Sequence, residues 1–97
     1  MHLITRPRLL EDAARFPEDI QKEVKAWCDV VKKAEWKHLD DIRQTYSRSV
    51  DKVENFLVFN IKSSRLIVGF NYQAQVIYYK YFLTHEEYDT GQWKNDT

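Results

Sequence analysis

The chain has 97 residues, with 15 basic and 15 acidic side chains and a formal net charge of zero. This length allows one domain, residues 1–97, built around a single core. No apolar run approaches the ~18 residues of a membrane span, which excludes a membrane-spanning protein. The lone Cys28 excludes a disulfide framework, and the first residues lack a signal-peptide pattern. These absences favour the cytoplasm.

The N-terminal half predicts one short strand and then helices. His2–Ile4 is a short apolar strand, and a first helix ends near Phe16, before Pro17. A second helix begins near Glu18, and a third, shorter one covers about Leu39 to Tyr46. The polar stretch from Ser47 to Glu54 is expected to be a loop. The apolar residues of the second helix recur at spacings of three and four, which defines one face: Ile20, Val24, Trp27, Val31 and Ala34.

The C-terminal half is rich in β-branched and aromatic residues, as strands are. Breaks at Ser63-Ser64 and Gln73-Ala74 divide it into three strands, Phe56–Lys62, Arg65–Tyr72 and Gln75–Phe82. We expect these strands to form an antiparallel meander, followed by a helical turn. Helices followed by strands predict an α+β fold, with the N-terminal helices packed on one face of an antiparallel sheet.

Two-residue hairpin loops would fix which residues pair across the strands. Ile67 would then lie between Asn60 and Lys80, and Arg65 would lie opposite Phe82. Because side chains alternate between faces, one face is expected to be apolar and to lie under the helices: Leu57, Phe59, Ile61, Leu66, Val68, Phe70, Tyr72, Ile77, Tyr79 and Tyr81. The other is polar and cationic: Asn60, Lys62, Arg65, Asn71, Tyr78 and Lys80.

Two interpretations of the cationic face remain open at this point. A solvated sheet face commonly carries Lys and Arg, so the pattern alone is compatible with ordinary exposure. The absence of acidic residues from the face favours an anionic partner such as RNA, although the neutral total charge argues against nucleic-acid binding. Gly69 at its centre would let a ligand approach closely.

Two segments carry a resemblance to a known family. Residues 58–62 read VFNIK, and residues 84–89, after the last strand, read THEEYD. The chain also contains His2-Leu3, Trp27 and Ala34-Glu35-Trp36. With these residues it resembles the HigB-type toxins of the RelE superfamily over nearly its whole length. The chain differs from the family's usual pattern in a hairpin loop shorter by two residues at Ser63-Ser64, and in Lys80, where the family often has Arg.

The resemblance implies a RelE-like fold and a metal-independent, cofactor-free mRNA interferase. Such toxins cut mRNA, most of them at the ribosome, by attack of the ribose 2′-hydroxyl on the adjacent phosphate. It also implies a partner, a HigA-like antitoxin with a helix-turn-helix. Neither a metal nor a membrane is expected to take part.

Four residues are candidates for this chemistry. His85 is the histidine beside the cationic face and is suited to proton transfer. Arg65 would hold the phosphate, Lys62 would add charge and assist proton transfer, and Tyr88 would hydrogen-bond the phosphate or stack on a base. Packing roles for His85 and Tyr88 remain open. Four further residues are candidates for RNA binding: Lys80, Asn60, Asn71 and Tyr78.

Two other functions remain possible for such a chain. One is a RelE-fold toxin that is not a nuclease, such as the ParE-like gyrase poisons, against which the histidine of THEEYD argues. The other is a module that binds RNA or protein through the cationic face without any catalysis.

Overall fold

The computed structural model describes residues 1–96 and has the α+β architecture predicted from the sequence. A short strand and three helices precede a run of four strands, after which the chain ends in a short helix and a 3-10 segment. The elements in chain order are β1 (His2–Ile4), α1 (Arg6–Ala13), α2 (Glu18–Lys33), α3 (Leu39–Tyr46), β2 (Val50–Val53), β3 (Phe56–Ile61), β4 (Ser64–Asn71), β5 (Val76–Thr84), α4 (His85–Asp89) and the 3-10 segment Gln92–Asp96. No helix among the described residues is long and apolar enough to cross a membrane.

The sheet is mixed, where an antiparallel one was predicted. Its five strands lie in the order β1-β5-β4-β3-β2, and every neighbouring pair is antiparallel except β1 with β5. The parallel pair is possible because the helices and three strands separate β1 from β5 in the chain, leaving room for a long crossover. The prediction of a loop over Ser47–Glu54 was wrong, since Val50–Val53 form an edge strand paired with β3.

The first hairpin of the meander turns one residue earlier than predicted. Ile61 pairs with Ser64, so the turn is Lys62-Ser63, and Asn60 lies opposite Arg65 instead of Ile67. The register therefore differs from the prediction by two residues, which leaves each side chain on its predicted face. Lys62 has a φ of 54°, the left-handed backbone that a tight hairpin turn requires.

A β-bulge at Lys80 changes the pairing of the last two strands. Val68 pairs with Tyr79 but Ile67 pairs with Tyr81, which leaves Lys80 as the extra residue of β5. The predicted pairs of Ile67 with Lys80 and of Arg65 with Phe82 were therefore wrong, and Arg65 lies opposite Leu83. Beyond a bulge the alternation of faces is reversed.

This reversal exchanges two aromatic side chains. Phe82 turns to the helix-covered side, where its ring packs 4.5 Å from that of Phe16. Tyr81, predicted to lie in that core, turns to the opposite face. The bulge interrupts the regular pairing of β4 and β5, but it buries the Phe82 ring beneath the first helices, which stabilises the fold.

Apolar residues are buried on both faces of the sheet. The larger core lies under α1, α2 and α3 and contains Phe59, Val68 and Tyr79, as predicted. A smaller core lies on the face predicted to be open, where the C-terminal segment covers part of the sheet. Its buried members are Phe56, Val58, Ile67 and Trp93, with Val53, Tyr81, Leu83 and Tyr88 packed against them. The polar face is therefore smaller than the sequence predicted.

Candidate active site

Helix α4 begins directly at the end of β5 and carries three of the polar side chains at the site. The Thr84 hydroxyl accepts a hydrogen bond from the Glu87 backbone N–H, and the Glu87 carboxylate accepts one from the Thr84 N–H, which forms a capping box. The His85 N–H donates to the Ser63 carbonyl over 3.1 Å. These bonds fix the first turn of α4 against the β3–β4 turn.

His85 lies between a cation and a carboxylate. Its Nδ1 is 3.3 Å from Nη2 of Arg65, and its Nε2 is 3.2 Å from Oδ2 of Asp89. In the neutral tautomer that satisfies both contacts, Nε2 donates to Asp89 and Nδ1 accepts from Arg65. Sequence reasoning missed Asp89, although its position four residues after His85 puts both on one face of a helix.

The Arg65 guanidinium is half-buried and is held by its own strand. Its Nη1 donates to the Ser64 carbonyl over 3.0 Å, and Asn60 lies directly across on β3. No carboxylate forms an ion pair with Arg65 among the residues that the structure describes. An unneutralised guanidinium beside an imidazole offers a binding position for an anion.

The Tyr88 ring contacts both Arg65 and Trp93. The guanidinium carbon of Arg65 lies 5.8 Å from the centre of the Tyr88 ring, and the Trp93 ring stacks at 5.3 Å with an interplanar angle of 17°. The Trp93 indole N–H also donates to the Tyr88 carbonyl. Burial raises the pKa of Tyr88, the Asp51 carboxylate raises it further, and Arg65 opposes both. The phenol is therefore protonated at neutral pH.

Lys62 lies near this group but faces elsewhere. It occupies the β3–β4 turn next to Ser63, and its ammonium is 3.4 Å from the Asp19 carboxylate at the start of α2. Both side chains are about half exposed. None of the described contacts joins Lys62 to Arg65 or His85, so a role in catalysis remains a prediction.

The predicted RNA-binding residues are spread along the sheet. Lys80 and Tyr78 are exposed and lie together over Gly69, where an added Cβ would be 3.7 Å from each side chain. They cover the glycine, so its backbone is not open to a ligand there. The side-chain Oδ1 of Asn71 accepts a hydrogen bond from the Ala74 N–H, which is a contact within the β4–β5 turn.

The structure therefore brings together three of the four predicted catalytic residues, Arg65, His85 and Tyr88, with Asn60 beside them. Across the described residues, no three or more His, Cys, Asp or Glu side chains lie close enough together to hold a metal ion. Trp93 was also missed from the sequence, because nothing in its surroundings indicates that it packs back onto the sheet.

Comparison with known proteins supports one family. No curated protein matches the chain. A family model described as the RelE-like toxic component of a toxin–antitoxin system matches residues 20–91, which is more than half of the chain and includes the whole Arg65–His85–Tyr88 group. The chain therefore belongs to the HigB toxin family and is the toxin of a toxin–antitoxin system, with an antitoxin as its partner.

Proposed function

We propose that this toxin is an endoribonuclease that cuts mRNA on the ribosome, in the cytoplasm, and that a HigA-like helix-turn-helix antitoxin neutralises it. The observation that carries the proposal is the 3.3 Å contact between Arg65 and His85 on an exposed surface. It pairs a cation that can hold a phosphate with a group that can transfer a proton near neutral pH. That the substrate is mRNA, that it is cut on the ribosome and that the antitoxin is HigA-like are inferred from the family alone.

The proposed reaction needs no group from outside the RNA and the protein. The ribose 2′-oxygen attacks the adjacent phosphorus, and the bond from phosphorus to the 5′-oxygen breaks. The 2′-hydroxyl loses a proton and the departing 5′-oxygen gains one, so the products are a 2′,3′-cyclic phosphate and a 5′-hydroxyl. Charge that develops on the phosphoryl oxygens must be stabilised meanwhile.

Arg65 and His85 would exchange partners when the substrate binds. A phosphate that binds Arg65 competes with the imidazole for the same guanidinium N–H groups. The Nδ1 lone pair of His85 then becomes available to accept the 2′-proton, while Asp89 holds the Nε2–H and stabilises the imidazolium that forms. The guanidinium stays on the phosphoryl oxygens as their charge increases.

Tyr88 and Lys62 have supporting roles in this proposal. The protonated Tyr88 phenol can donate a hydrogen bond to a phosphoryl oxygen. Its ring is stacked on Trp93, so the phenol is held in place rather than available for stacking on a base. Lys62 is the candidate proton donor to the 5′-oxygen, for which it would have to leave Asp19. Asn60, Asn71, Tyr78 and Lys80 would contact the RNA on either side.

The test is cleavage of a defined mRNA by the purified toxin, with and without ribosomes, with the chemistry of the new ends determined. His85→Ala is expected to lower the rate by at least ~10²-fold, the usual scale for loss of an acid–base group. His38→Ala is the matched control, because His38 also faces a helix carboxylate, Asp41 at 3.8 Å, but lies at the start of α3. That control should cleave like the wild type.

The outcomes separate the three candidate functions. Ends other than a cyclic phosphate and a 5′-hydroxyl, or full activity of His85→Ala, contradict the proposed chemistry. Growth arrest without RNA cleavage would indicate a gyrase-type poison, and RNA binding without either would indicate a module without catalysis. Restoration of growth by the neighbouring reading frame, if it encodes a helix-turn-helix protein, would support the HigA assignment.

A further inference from the structure

A small pocket opens where the first strand leaves the sheet. Strand β1 pairs with β5 only as far as Ile4, opposite Tyr78, and the chain then turns into α1. The resulting cavity has a volume of about 330 Å³, and its lining includes Arg8, Tyr78 and Lys80. It lies away from His85, which begins α4 directly after β5. His85 is five positions beyond Lys80, roughly 16 Å at the usual rise per residue of a strand.

The pocket brings two positive charges together, and neither is held in an ion pair. Arg8 and Lys80 are both exposed, and neither forms an ion pair with any residue in the described part of the chain. Asp12 lies one turn after Arg8 on α1, and its carboxylate accepts a hydrogen bond from the Tyr79 hydroxyl at 2.5 Å. Asp12 is therefore hydrogen-bonded to Tyr79 and forms no ion pair with Arg8 in the described part of the chain.

An exposed aromatic ring lies beside the two cations. Tyr78 is 38% exposed, and no other large apolar side chain among the described residues is classed as exposed. The bulge at Lys80 places that lysine over Gly69, where the Tyr78 side chain also lies. Cations that bind a backbone phosphate, next to a ring on which a base can stack, are the combination that binds single-stranded RNA.

We propose that this pocket is a second RNA subsite, in which Arg8 and Lys80 hold one backbone phosphate and the Tyr78 ring receives a base. The inference rests on the proposed function, because it takes RNA as the ligand. Arg8 takes no part in the proposed chemistry at His85. It lies on α1, so the proposed RNA-binding surface includes a residue of the helical layer as well as residues of the sheet. The subsite holds a nucleotide outside the pair that flanks the cleaved bond.

The test measures binding of a single-stranded RNA of mixed sequence, about a dozen nucleotides long and 2′-O-methylated throughout so that it cannot be cut. Affinity is followed by fluorescence anisotropy over a range of salt concentrations. Arg8→Gln is expected to weaken binding about tenfold near 0.15 M salt, and to reduce the slope of log affinity against log salt by about 0.7. Arg8→Lys should restore most of the slope, because it restores the charge.

Arg6→Gln is the matched control. Arg6 lies two residues earlier on the same helix and loses the same charge, but its side chain faces Cys28 and a different pocket. It should leave both the affinity and the slope close to those of the wild type. Thermal unfolding of each variant verifies that the fold survives.

Each result bears on a different claim. If the wild type binds and cleaves RNA but Arg8→Gln and Arg6→Gln behave alike, the subsite is wrong and the proposed function stands. If the wild type does not bind RNA at all, both fail. If Arg8→Gln weakens the complex with the antitoxin while RNA affinity is unchanged, the pocket belongs to a protein interface and the proposal is overturned.

Discussion

Arg15 and Glu87, which are 72 positions apart in the chain, form an ion pair of 2.7 Å that joins the helical layer to α4. Arg15 lies between α1 and α2, where its guanidinium also packs over the Phe16 ring and contacts the Phe82 carbonyl. The Glu87 oxygen that accepts a hydrogen bond from Arg15 also accepts one from the Thr84 N–H in the capping box. The helix that carries His85 is therefore anchored from both the sheet and the helices.

Breaking this ion pair is expected to affect cleavage more than stability. Both side chains are about half exposed, so the pair itself contributes only about 0.2–1 kcal/mol. Arg15→Gln should lower the cleavage rate about tenfold by letting α4 shift, since small displacements of reacting groups are costly. A double-mutant cycle with Glu87→Gln, in which the free energy of unfolding and kcat are both measured, tests this expectation. The expectation fails if rate and stability fall in proportion.

The pH dependence of stability should contain a contribution from Glu87. The hydrogen bond from Arg15, followed by that from the Thr84 N–H, holds the pKa of Glu87 below its ordinary value of 4.5. A lowered pKa stabilises the fold above pH 4.5, and this stabilisation is lost as the pH falls through the folded-state value. Urea unfolding between pH 6 and pH 3 should therefore show a smaller acid loss in Glu87→Gln than in the wild type. Superimposable profiles would show that Glu87 contributes nothing.

Asp89 is expected to orient His85 during cleavage. Asp89→Asn keeps the size of the side chain but removes the charge that stabilises an imidazolium, so the rate should fall about tenfold or more. Asp41→Asn at the His38 pair makes the same change elsewhere on the surface and should have no effect. The measurement is single-turnover cleavage of the same mRNA. An unchanged rate for Asp89→Asn would leave His85 without a carboxylate partner in the mechanism.

Trp93 should stabilise both the smaller core and the position of Tyr88. Its side chain is 4% exposed and touches Phe56 as well as Tyr88. Trp93→Ala is expected to reduce the free energy of unfolding by about 3 kcal/mol, within the range for large aromatic truncations. Trp93→Phe should cost much less and keep most of the cleavage activity. Chemical denaturation of the two variants measures the difference, and equal losses would contradict a packing role.

The sequence predicted the elements that have a clear apolar period. Helix α3 and the meander β3–β5 were located correctly, because each carries enough apolar residues to define a face. Strand β2 was missed, because Asp51 and Lys52 make this short edge strand as polar as a loop. The bulge at Lys80 could not be predicted from local pattern, since it follows from the burial of Phe82 against Phe16.

The candidate site was predicted in part for the same reasons. Arg65 and His85 were expected to be close because they lie at the same end of β4 and β5, and the one-residue shift that the bulge introduces between these strands does not alter that. The position of Trp93 depends on how the C-terminal segment folds back over Ile67, a long-range contact that composition does not reveal. The pairing of Asp89 with His85 follows from their local spacing and was overlooked. The cation of Lys62 was placed on the correct hairpin, but its pairing with Asp19 depends on where α2 begins.

The extra residue of β5 has an evolutionary consequence. Tyr79 faces the helices, Tyr81 the other side and Phe82 the helices again, so removing Lys80 would leave every other side chain of the strand on its present face. The sheet does not need this residue for its alternation, and the ladder would become regular without it. A lysine could therefore be gained or lost here as a single insertion or deletion, changing the charge of the surface without repacking either core.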